Sequence, residues 1–323
     1  MRNCNPSEYI QHILRLFMIS NLQGLRGLAA LAVVFFHTGF TFNCGVRTDF
    51  MAVSVFFVIS GFIMTYITRE GGGDAGRFLI QRLIRIVPLY WLCTLVFLVF
   101  ATSVVRGQTW QDLSLENVIK SLLFIPYLNS VGEPQPLLSV GWTLNFEMFF
   151  YLIFAAMLIV TRRLAPFLVC IVLIAIRLAK QQFVCTTIAC NVYASNYITF
   201  FIEGIMVYYV WNALKNHVRG RTWSVASIAV MVALFFGVWN AHPPFRHFVE
   251  QLLNFPFTPG YLMPPLLVTT VLIAHSAGLR IMWIPAIILG DASYALYLTH
   301  MFVLASILKT LKIAGVAPYL IQS

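Results

Sequence analysis

The stretch LQGLRGLAALAVVFFHTGF, from Leu22 to Phe40, is apolar almost throughout, yet it contains Arg26 and His37. Its length is close to the roughly 20 apolar residues that a helix needs to cross a bilayer. An arginine at the bilayer centre costs about 3 kcal/mol or more, so an ionisable residue in such a segment is a candidate for function. The alternative is that each side chain is a packing group whose hydrogen bonds are satisfied.

The whole chain has the composition of a membrane protein. Of its 323 residues, 60% are hydrophobic and 10% are charged, whereas charged residues make up about 25% of a typical soluble domain. The net charge of +10 fits basic residues in cytoplasmic loops, so we expect no nucleic acid partner. The six cysteines have no metal-ligand spacing, and we expect no metal. The predicted fold class is an all-α polytopic membrane protein.

Apolar runs predict a single bundle of about nine to ten transmembrane helices. The nine runs lie near residues 22–42, 50–68, 84–104, 138–160, 164–179, 196–213, 223–241, 260–277 and 286–308. The run 118–129 is too short to cross and is expected to lie at an interface or to re-enter. A tenth span is expected there or in the connection after Ile176. The distribution of lysine and arginine predicts a cytoplasmic N-terminus.

The chain is predicted to form one transmembrane domain, residues 21–310. An N-terminal cytoplasmic extension, residues 1–20, precedes it, and a short tail, residues 311–323, follows it. Met18 is a second candidate start, so the first 17 residues are expected to be an upstream extension of the reading frame. Cys185 and Cys190 lie in a polar connection and can be oxidised if that connection faces outside.

Arg26 and His37 are eleven residues apart, which is about 1100° around a helix, or three turns plus about 20°. Both side chains are therefore predicted to lie on one face, about 16 Å apart along the helix axis. Two polar groups in register can line one cavity. This shared face favours a functional role more than a single buried histidine would.

The stretch RFLIQRLIRIVPLYW, residues 77–91, places Arg82 and Arg85 three residues apart on one helix face. Basic residues at the cytoplasmic end of a span are routine. The functional interpretation is an anion clamp, because two guanidinium groups can hold phosphates bidentately.

Two further stretches place polar residues in apolar spans. Glu147 lies in SVGWTLNFEMFFYLIF, residues 139–154, as a catalytic carboxylate or as the partner of an intramembrane arginine. The stretch ILGDASYALYLTHMFVL, residues 288–304, has an unusual polar content: Asp291, Ser293, Tyr294, Tyr297 and His300. The last three are predicted to share a helix face.

Together these segments resemble the acyltransferase-3 family of integral-membrane O-acyltransferases, especially the exopolysaccharide-production acetyltransferases of bacteria. The resemblance rests on five motifs in order: LQGLRGLAALAVVFFH, SVFFVISGFIM, RFLIQRLIRIVPLYW, GWTLNFEMFFY and LGDASYALYLTH. It runs from about Asn21 to Leu308. It implies transfer of an acetyl or other short acyl group from cytoplasmic acetyl-CoA or another acyl-CoA to a hydroxyl of a cell-surface glycan. It also implies a bacterial inner-membrane location.

The resemblance also suggests a role for each polar residue. His37 and Glu147 are expected to be catalytic, with His37 either a general base or a transient acyl carrier. Acyl-CoA is expected to be bound by Arg26, Arg82 and Arg85. The expected substrate-binding or supporting residues are Ser54, Asp291, Ser293, Tyr294, Tyr297 and His300.

One position departs from the family pattern. Many relatives have an aspartate just before FFVxSGF, where this chain has Ser54. If that aspartate normally pairs with a catalytic group, the pairing here differs, and Asp49 is a candidate substitute.

Two other functions use the same sequence features. One is a transporter or flippase for a lipid-linked saccharide, and the other is a structural partner of polysaccharide-assembly proteins. The acyltransferase is favoured because the arginine pair is predicted on the cytoplasmic side, where acyl-CoA is available. The expected partners are acyl-CoA, a glycan or lipid-linked saccharide acceptor and membrane lipid.

Overall fold

The computed structural model describes residues 19–38, 48–70, 74–104, 112–182, 185–218 and 259–313, with three isolated positions, 226, 230 and 233. All regular secondary structure in these ranges is helical. The predicted span near 223–241, most of the N-terminal extension and the last ten residues lie outside the described part of the chain. The prediction of an all-helical protein is confirmed for the described residues.

The described helices follow one another in a simple order. They are α1 (Ser20–His37), α2 (Thr48–Glu70), α3 (Ala75–Val104), α4 (Leu115–Leu122), α5 (Trp142–Val160), α6 (Ala165–Gln182), α7 (Ile188–Tyr193), α8 (Tyr197–Leu214), α9 (Pro259–Ser276), α10 (Ile284–Asp291) and α11 (Ser293–Ile313). A 3-10 turn, Ser139–Gly141, leads into α5. Eight of the nine predicted runs therefore overlap helices.

Four stretches among the described residues are long and apolar enough to cross a membrane: Phe50–Glu70, Ala75–Val99, Ser139–Val160 and Tyr197–Leu214. A fifth is counted if α10 and α11 form one bent span, and α9 contains a shorter apolar helix, Gly260–Ser276. The chain is thus a helical membrane protein, and the count of nine to ten spans stays a prediction.

The predicted run 286–308 is not one straight helix. It divides into α10 and α11, whose axes differ by 74°. The helix ends at Asp291, where Ala292 caps it by donating to the carbonyls of Gly290 and Ile288. Hydropathy alone does not detect this break because both halves are apolar.

Helix α3 has two distinct faces. Its buried side carries Phe78, Arg82, Ile86 and Tyr90 at four-residue intervals. This interval is close to the 3.6-residue turn of a helix, so the four side chains follow one stripe. The opposite side exposes large apolar residues: Ile80, Ile84, Trp91, Leu92, Leu95 and Val99. Beyond Arg85 the helix is therefore apolar on both faces, and Arg82 lies on its buried stripe.

The chain divides into two compact units. Unit 1 takes residues 1–33, 42–72 and 200–293, and unit 2 takes residues 34–41, 73–199 and 294–323. In unit 1, α9 packs on α2. The backbones of Gly61 and Gly204 approach so closely that neither position has room for a Cβ atom. Small residues allow such close packing of membrane helices.

Unit 2 contains the residues of main interest. Helix α5 packs against α3 and α6. The fully buried Tyr90 donates a hydrogen bond to the Ser121 carbonyl of α4 at 3.1 Å. Gly141, just before α5, lies against the Tyr90 ring. Helix α11 and the last turn of α1 complete the unit.

Candidate active site

Arg82 lies on the buried stripe of α3. The arginine is only 5% exposed, and its guanidinium interacts electrostatically with Tyr151, Arg85 and Glu147. Its Nε and Nη1 atoms have no hydrogen-bond partner among the described residues. A buried donor without a partner costs about 1–3 kcal/mol, and more when it is charged. The guanidinium therefore has donor capacity that suits an anion.

Arg85 differs from Arg82 in its surroundings. Its side chain is exposed. Three residues turn a helix by about 300°, so side chains three apart diverge by about 60°. The predicted clamp thus consists of one buried and one exposed guanidinium.

Glu147 lies on α5, one helical turn before Tyr151. The Tyr151 hydroxyl donates a hydrogen bond to Glu147 Oε1. Electrostatic interactions also connect the Glu147 carboxyl with Arg82, Tyr294 and Tyr297. The structure therefore places Glu147 among three of the side chains that the sequence motifs single out.

The two tyrosines of α11 fasten this helix to its neighbours in unit 2. The Tyr294 hydroxyl donates to the Ile86 carbonyl of α3 at 2.7 Å. The Tyr297 hydroxyl donates to the Val140 carbonyl at 2.9 Å and lies 3.0 Å from Thr143 Oγ1. Buried hydroxyls that keep such bonds fix the position and rotation of the helix.

His300 and His37 meet in unit 2. His300 is 2% exposed, whereas His37 is exposed at the end of α1. His300 Nε2 lies 3.3 Å from His37 Nδ1, and the ring centroids are 5.0 Å apart. His300 Nδ1 lies 2.7 Å from the Tyr297 carbonyl of its own helix. An accessible imidazole is thus backed by a buried one.

Two of the predicted site residues in unit 1 bond within their own helices. Arg26 is buried, and its Nη1 donates to Gln23 Oε1 at 3.0 Å. The Ser54 hydroxyl is buried and donates to the Phe50 carbonyl at 2.7 Å. The side chain of Asp49, the candidate substitute, lies outside the described side chains.

The other two predicted site residues of unit 1, Asp291 and Ser293, lie at the break between α10 and α11. Asp291 is exposed at the end of α10. Ser293 is fully buried at the start of α11, and its hydroxyl has no hydrogen-bond partner among the described residues. Both belong to unit 1.

Unit 2 therefore brings together seven of the eleven predicted site residues: His37, Arg82, Arg85, Glu147, Tyr294, Tyr297 and His300. The remaining four belong to unit 1. In the described part of the chain, no group of three or more His, Cys, Asp or Glu side chains could hold a metal ion.

Two contacting residues were not expected from the sequence. Tyr151 follows Glu147 at i+4, a spacing that brings side chains together on a helix and could have identified it. Thr143 bonds Tyr297 from 154 positions away in the chain, and no local pattern signals such a pairing.

An aromatic cluster adjoins Thr143 in unit 2. The ring centroids of Trp142 and Tyr197 are 4.9 Å apart, and Tyr193 stacks on Phe149 at 4.2 Å. Burial raises the pKa of Tyr193 to about 12, so its hydroxyl stays protonated and donates to the Phe124 carbonyl at 3.0 Å. Tyrosine and tryptophan rings combine an apolar face with a polar edge, which suits mixed surfaces.

Comparisons with known proteins point to one family. A family profile described as "Acyltransferase domain" matches residues 19–322. The exopolysaccharide production protein ExoZ of Rhizobium meliloti (strain 1021) is 33% identical over 276 residues, which cover 84% of this chain and 80% of that protein. Acyltransferase MdmB of Streptomyces mycarofaciens is 26% identical, over 90% of this chain and 80% of that protein.

A more distant relative is much longer than this chain. Peptidoglycan O-acetyltransferase OatA of Listeria monocytogenes is 25% identical over 87% of this chain, and the match spans 49% of OatA. The chain thus corresponds to about half of that protein. No solved structure matches the chain.

Proposed function

The chain belongs to the acyltransferase-3 family of membrane O-acyltransferases, and on that premise we propose its reaction. It moves an acetyl or another short acyl group from cytoplasmic acyl-CoA to a hydroxyl of a cell-surface or exopolysaccharide glycan. Residues 21–310 form one transmembrane domain of nine to ten helices in a bacterial inner membrane. The N-terminus is cytoplasmic.

One observation carries this proposal: the polar side chains of unit 2 form a connected series. Arg82 interacts with Glu147, and Glu147 interacts with Tyr294 and Tyr297. The backbone carbonyl of Tyr297 then accepts a hydrogen bond from His300, which contacts the accessible His37. A series with a cation at one end and an exposed imidazole at the other suits a long anionic donor with a distant reactive group.

The donor end of the series is Arg82. Acyl-CoA is a phosphate-rich anion, and a planar guanidinium binds phosphate oxygens through parallel N–H bonds. The two buried nitrogens without partners among the described residues fit this ligand. Arg85 contributes a second charge from the exposed side. Arg26 stays a proposed ligand of acyl-CoA.

The transfer step uses His37 as general base. The acceptor hydroxyl gives its proton to the imidazole as its oxygen forms a bond to the thioester carbonyl carbon. The carbon–sulfur bond then breaks, and the leaving thiolate takes the proton back from His37. Glu147 supports the step electrostatically through its interactions with Tyr297, Tyr294 and Arg82.

The acceptor is proposed from the relatives and from the position of His37. The names of two relatives refer to exopolysaccharide production and to peptidoglycan O-acetylation, and both products are glycans. His37 is exposed at the end of α1, where a bulky saccharide can reach it. Trp142 and Tyr197, close to Thr143 in unit 2, offer aromatic faces on which a sugar ring can stack.

The test is the acetyl content of the surface polysaccharide of the host, measured by proton NMR. We expect acetyl signals to disappear in a deletion strain and to return when the wild-type chain is supplied. The same polysaccharide must still reach the surface in the deletion strain. If the deletion strain instead exports less polysaccharide, and the polysaccharide that still reaches the surface is normally acetylated, the result would support a saccharide transporter.

The disulfide between Cys185 and Cys190, in the connection from α6 to α8, supports the proposed orientation. Disulfides persist in oxidising compartments such as the periplasm and are rare in the cytoplasm. With a cytoplasmic N-terminus and five spans before it, this connection lies outside the cytoplasm. The two arguments for orientation, the disulfide and the basic loops, are independent.

A cysteine-labelling experiment tests this orientation. In a variant with Cys185→Ser and with the four other cysteines outside the disulfide replaced, Cys190 is the only thiol. We expect a membrane-impermeant maleimide to label Cys190 in intact spheroplasts, because the connection faces the periplasm. The matched control is a single cysteine at Arg162, expected to react only after permeabilisation. The reverse pattern would overturn the orientation.

A further inference from the structure

The histidine pair of unit 2 joins residues that are 263 positions apart in the chain. The distance from His300 Nε2 to His37 Nδ1 is 3.3 Å, and the rings are tilted by 52°. His300 Nδ1 faces the Tyr297 carbonyl oxygen at 2.7 Å. Each nitrogen of His300 therefore has a defined partner.

The chemistry of these partners assigns the protons. A carbonyl oxygen can only accept a hydrogen bond, so His300 Nδ1 must carry a proton, and its N–H donates a hydrogen bond to the Tyr297 carbonyl. A charged ring is costly to bury, and His300 is 2% exposed, which favours the neutral form. In a neutral imidazole the other nitrogen accepts, so His300 Nε2 accepts from His37 Nδ1–H. The lone pair of a neutral His37 then lies on Nε2.

From this geometry we infer that His300 is a positioning residue for the transfer step, an inference that rests on the proposed function. It selects the tautomer in which His37 Nε2 is the base. When Nε2 takes the proton of the acceptor hydroxyl, His37 becomes an imidazolium, and its Nδ1–H bond to His300 strengthens because the donor is now charged. His300 keeps its own proton throughout. A base oriented by a third group is a recurring arrangement in acyl-transfer enzymes.

His300 is itself held in place by its helix. The Tyr297 carbonyl that receives its Nδ1–H is one turn earlier on α11. The Tyr297 hydroxyl is fixed in turn by Val140 and Thr143. A ring held at both nitrogens has little freedom to rotate, which is the property that an orienting group requires.

Three substitutions at His300 separate its hydrogen-bonding roles. Glutamine places an acceptor oxygen near the position of Nε2 and can still receive His37 Nδ1–H. Asparagine reaches only the position of Nδ1, so it can bond Tyr297 but not His37. Leucine keeps bulk and removes both bonds. Asparagine is therefore the matched control for glutamine.

We expect the asparagine and leucine variants to lose about 10- to 100-fold in kcat, the loss typical when the partner that orients a functional histidine is removed. The glutamine variant should recover at least half of that loss on a logarithmic scale. The KM for acetyl-CoA should stay within about twofold in all three, because none of the changes touches the donor. In a His37→Ala background, His300→Leu should have almost no further effect.

Several results would overturn the inference. Equal activity of the asparagine variant and the wild type would exclude an acceptor role. Equal losses in all three variants, together with lower thermal stability in detergent, would show a purely structural role. A further large loss from His300→Leu on top of His37→Ala would show that His300 acts independently of His37.

A second measurement does not depend on activity. Nitrogen-15 NMR of histidine-labelled protein in proteoliposomes reports which ring nitrogen carries the proton. The His37 signals are assigned by their absence in His37→Ala. We expect protonation at Nδ1 in the wild type and a mixture of tautomers in His300→Leu. Protonation at Nε2 in the wild type would refute the inference even if transfer proceeds. Correct tautomers without any acyl transfer would instead contradict the proposed function alone.

Discussion

In membranes that contain His37→Ala at wild-type abundance, we expect acyl transfer to fall by about 10²- to 10⁴-fold, the range for loss of a positioned general base. His37 is exposed at the end of α1, so alanine leaves no buried cavity and the helix should still form. The Arg82 end of the polar series is untouched. The KM for acyl-CoA should therefore change little, and the loss should appear in kcat.

The measurement is the initial rate at which the acetyl group of radiolabelled acetyl-CoA is transferred to the host polysaccharide, in inverted membranes and in detergent-treated membranes. The matched control is His217→Ala, because His217 is an exposed histidine just beyond α8 in unit 1. Normal transfer in His37→Ala would contradict the assignment. If label accumulates on the wild-type chain in the absence of acceptor, but not on the variant, His37 is an acyl carrier rather than a base.

The second large effect is expected at Arg82. Replacing it with alanine should raise the KM for acetyl-CoA by about 10- to 100-fold, because a hydrogen bond to a charged group contributes about 1.5–3 kcal/mol. Arg82→Lys keeps the charge but not the planar guanidinium, so its KM should lie between those of the wild type and the alanine variant. The measurement is the dependence of initial rate on acetyl-CoA concentration.

Arg85→Ala is the comparison for this prediction. It removes the same group three residues away, but from an exposed position where solvent and salt screen the charge. Its KM effect should be several-fold smaller than that of Arg82→Ala. Equal effects, or a change in kcat alone at Arg82, would contradict the proposed role in donor binding. A thermal melt of each variant in detergent checks that Arg82→Ala remains folded beside Glu147.

Much of the fold follows from hydropathy because each long apolar run becomes a helix in the described ranges. The boundaries are less accurate where polar residues belong to a helix. Helix α3 begins at Ala75 rather than near residue 84, because Arg77, Gln81 and Arg82 continue the helix below the apolar run. The break between α10 and α11 was missed for the opposite reason, since the residues on both sides are apolar.

The site was predictable in its residues but not in its pairings. The five motifs point to single polar side chains, and unit 2 contains seven of the eleven site residues predicted from them. Which of them touch is decided by packing between segments distant in the chain, as for His37 with His300. Helix spacing placed Arg82 and Arg85 on one face, yet only packing determines that Arg82 is buried.

The buried stripe of α3 also limits how this helix can change in length. Adding or removing one residue turns everything beyond it by about 100°. Such a change between Arg82 and Tyr90, with the far end of the helix fixed by Tyr90, would carry the guanidinium off the buried stripe toward the apolar outer face. Substitutions among the outer residues preserve the stripe, whereas single insertions and deletions do not. Homologous chains should therefore differ along α3 by exchange of side chains and vary in length only in the loops at its ends.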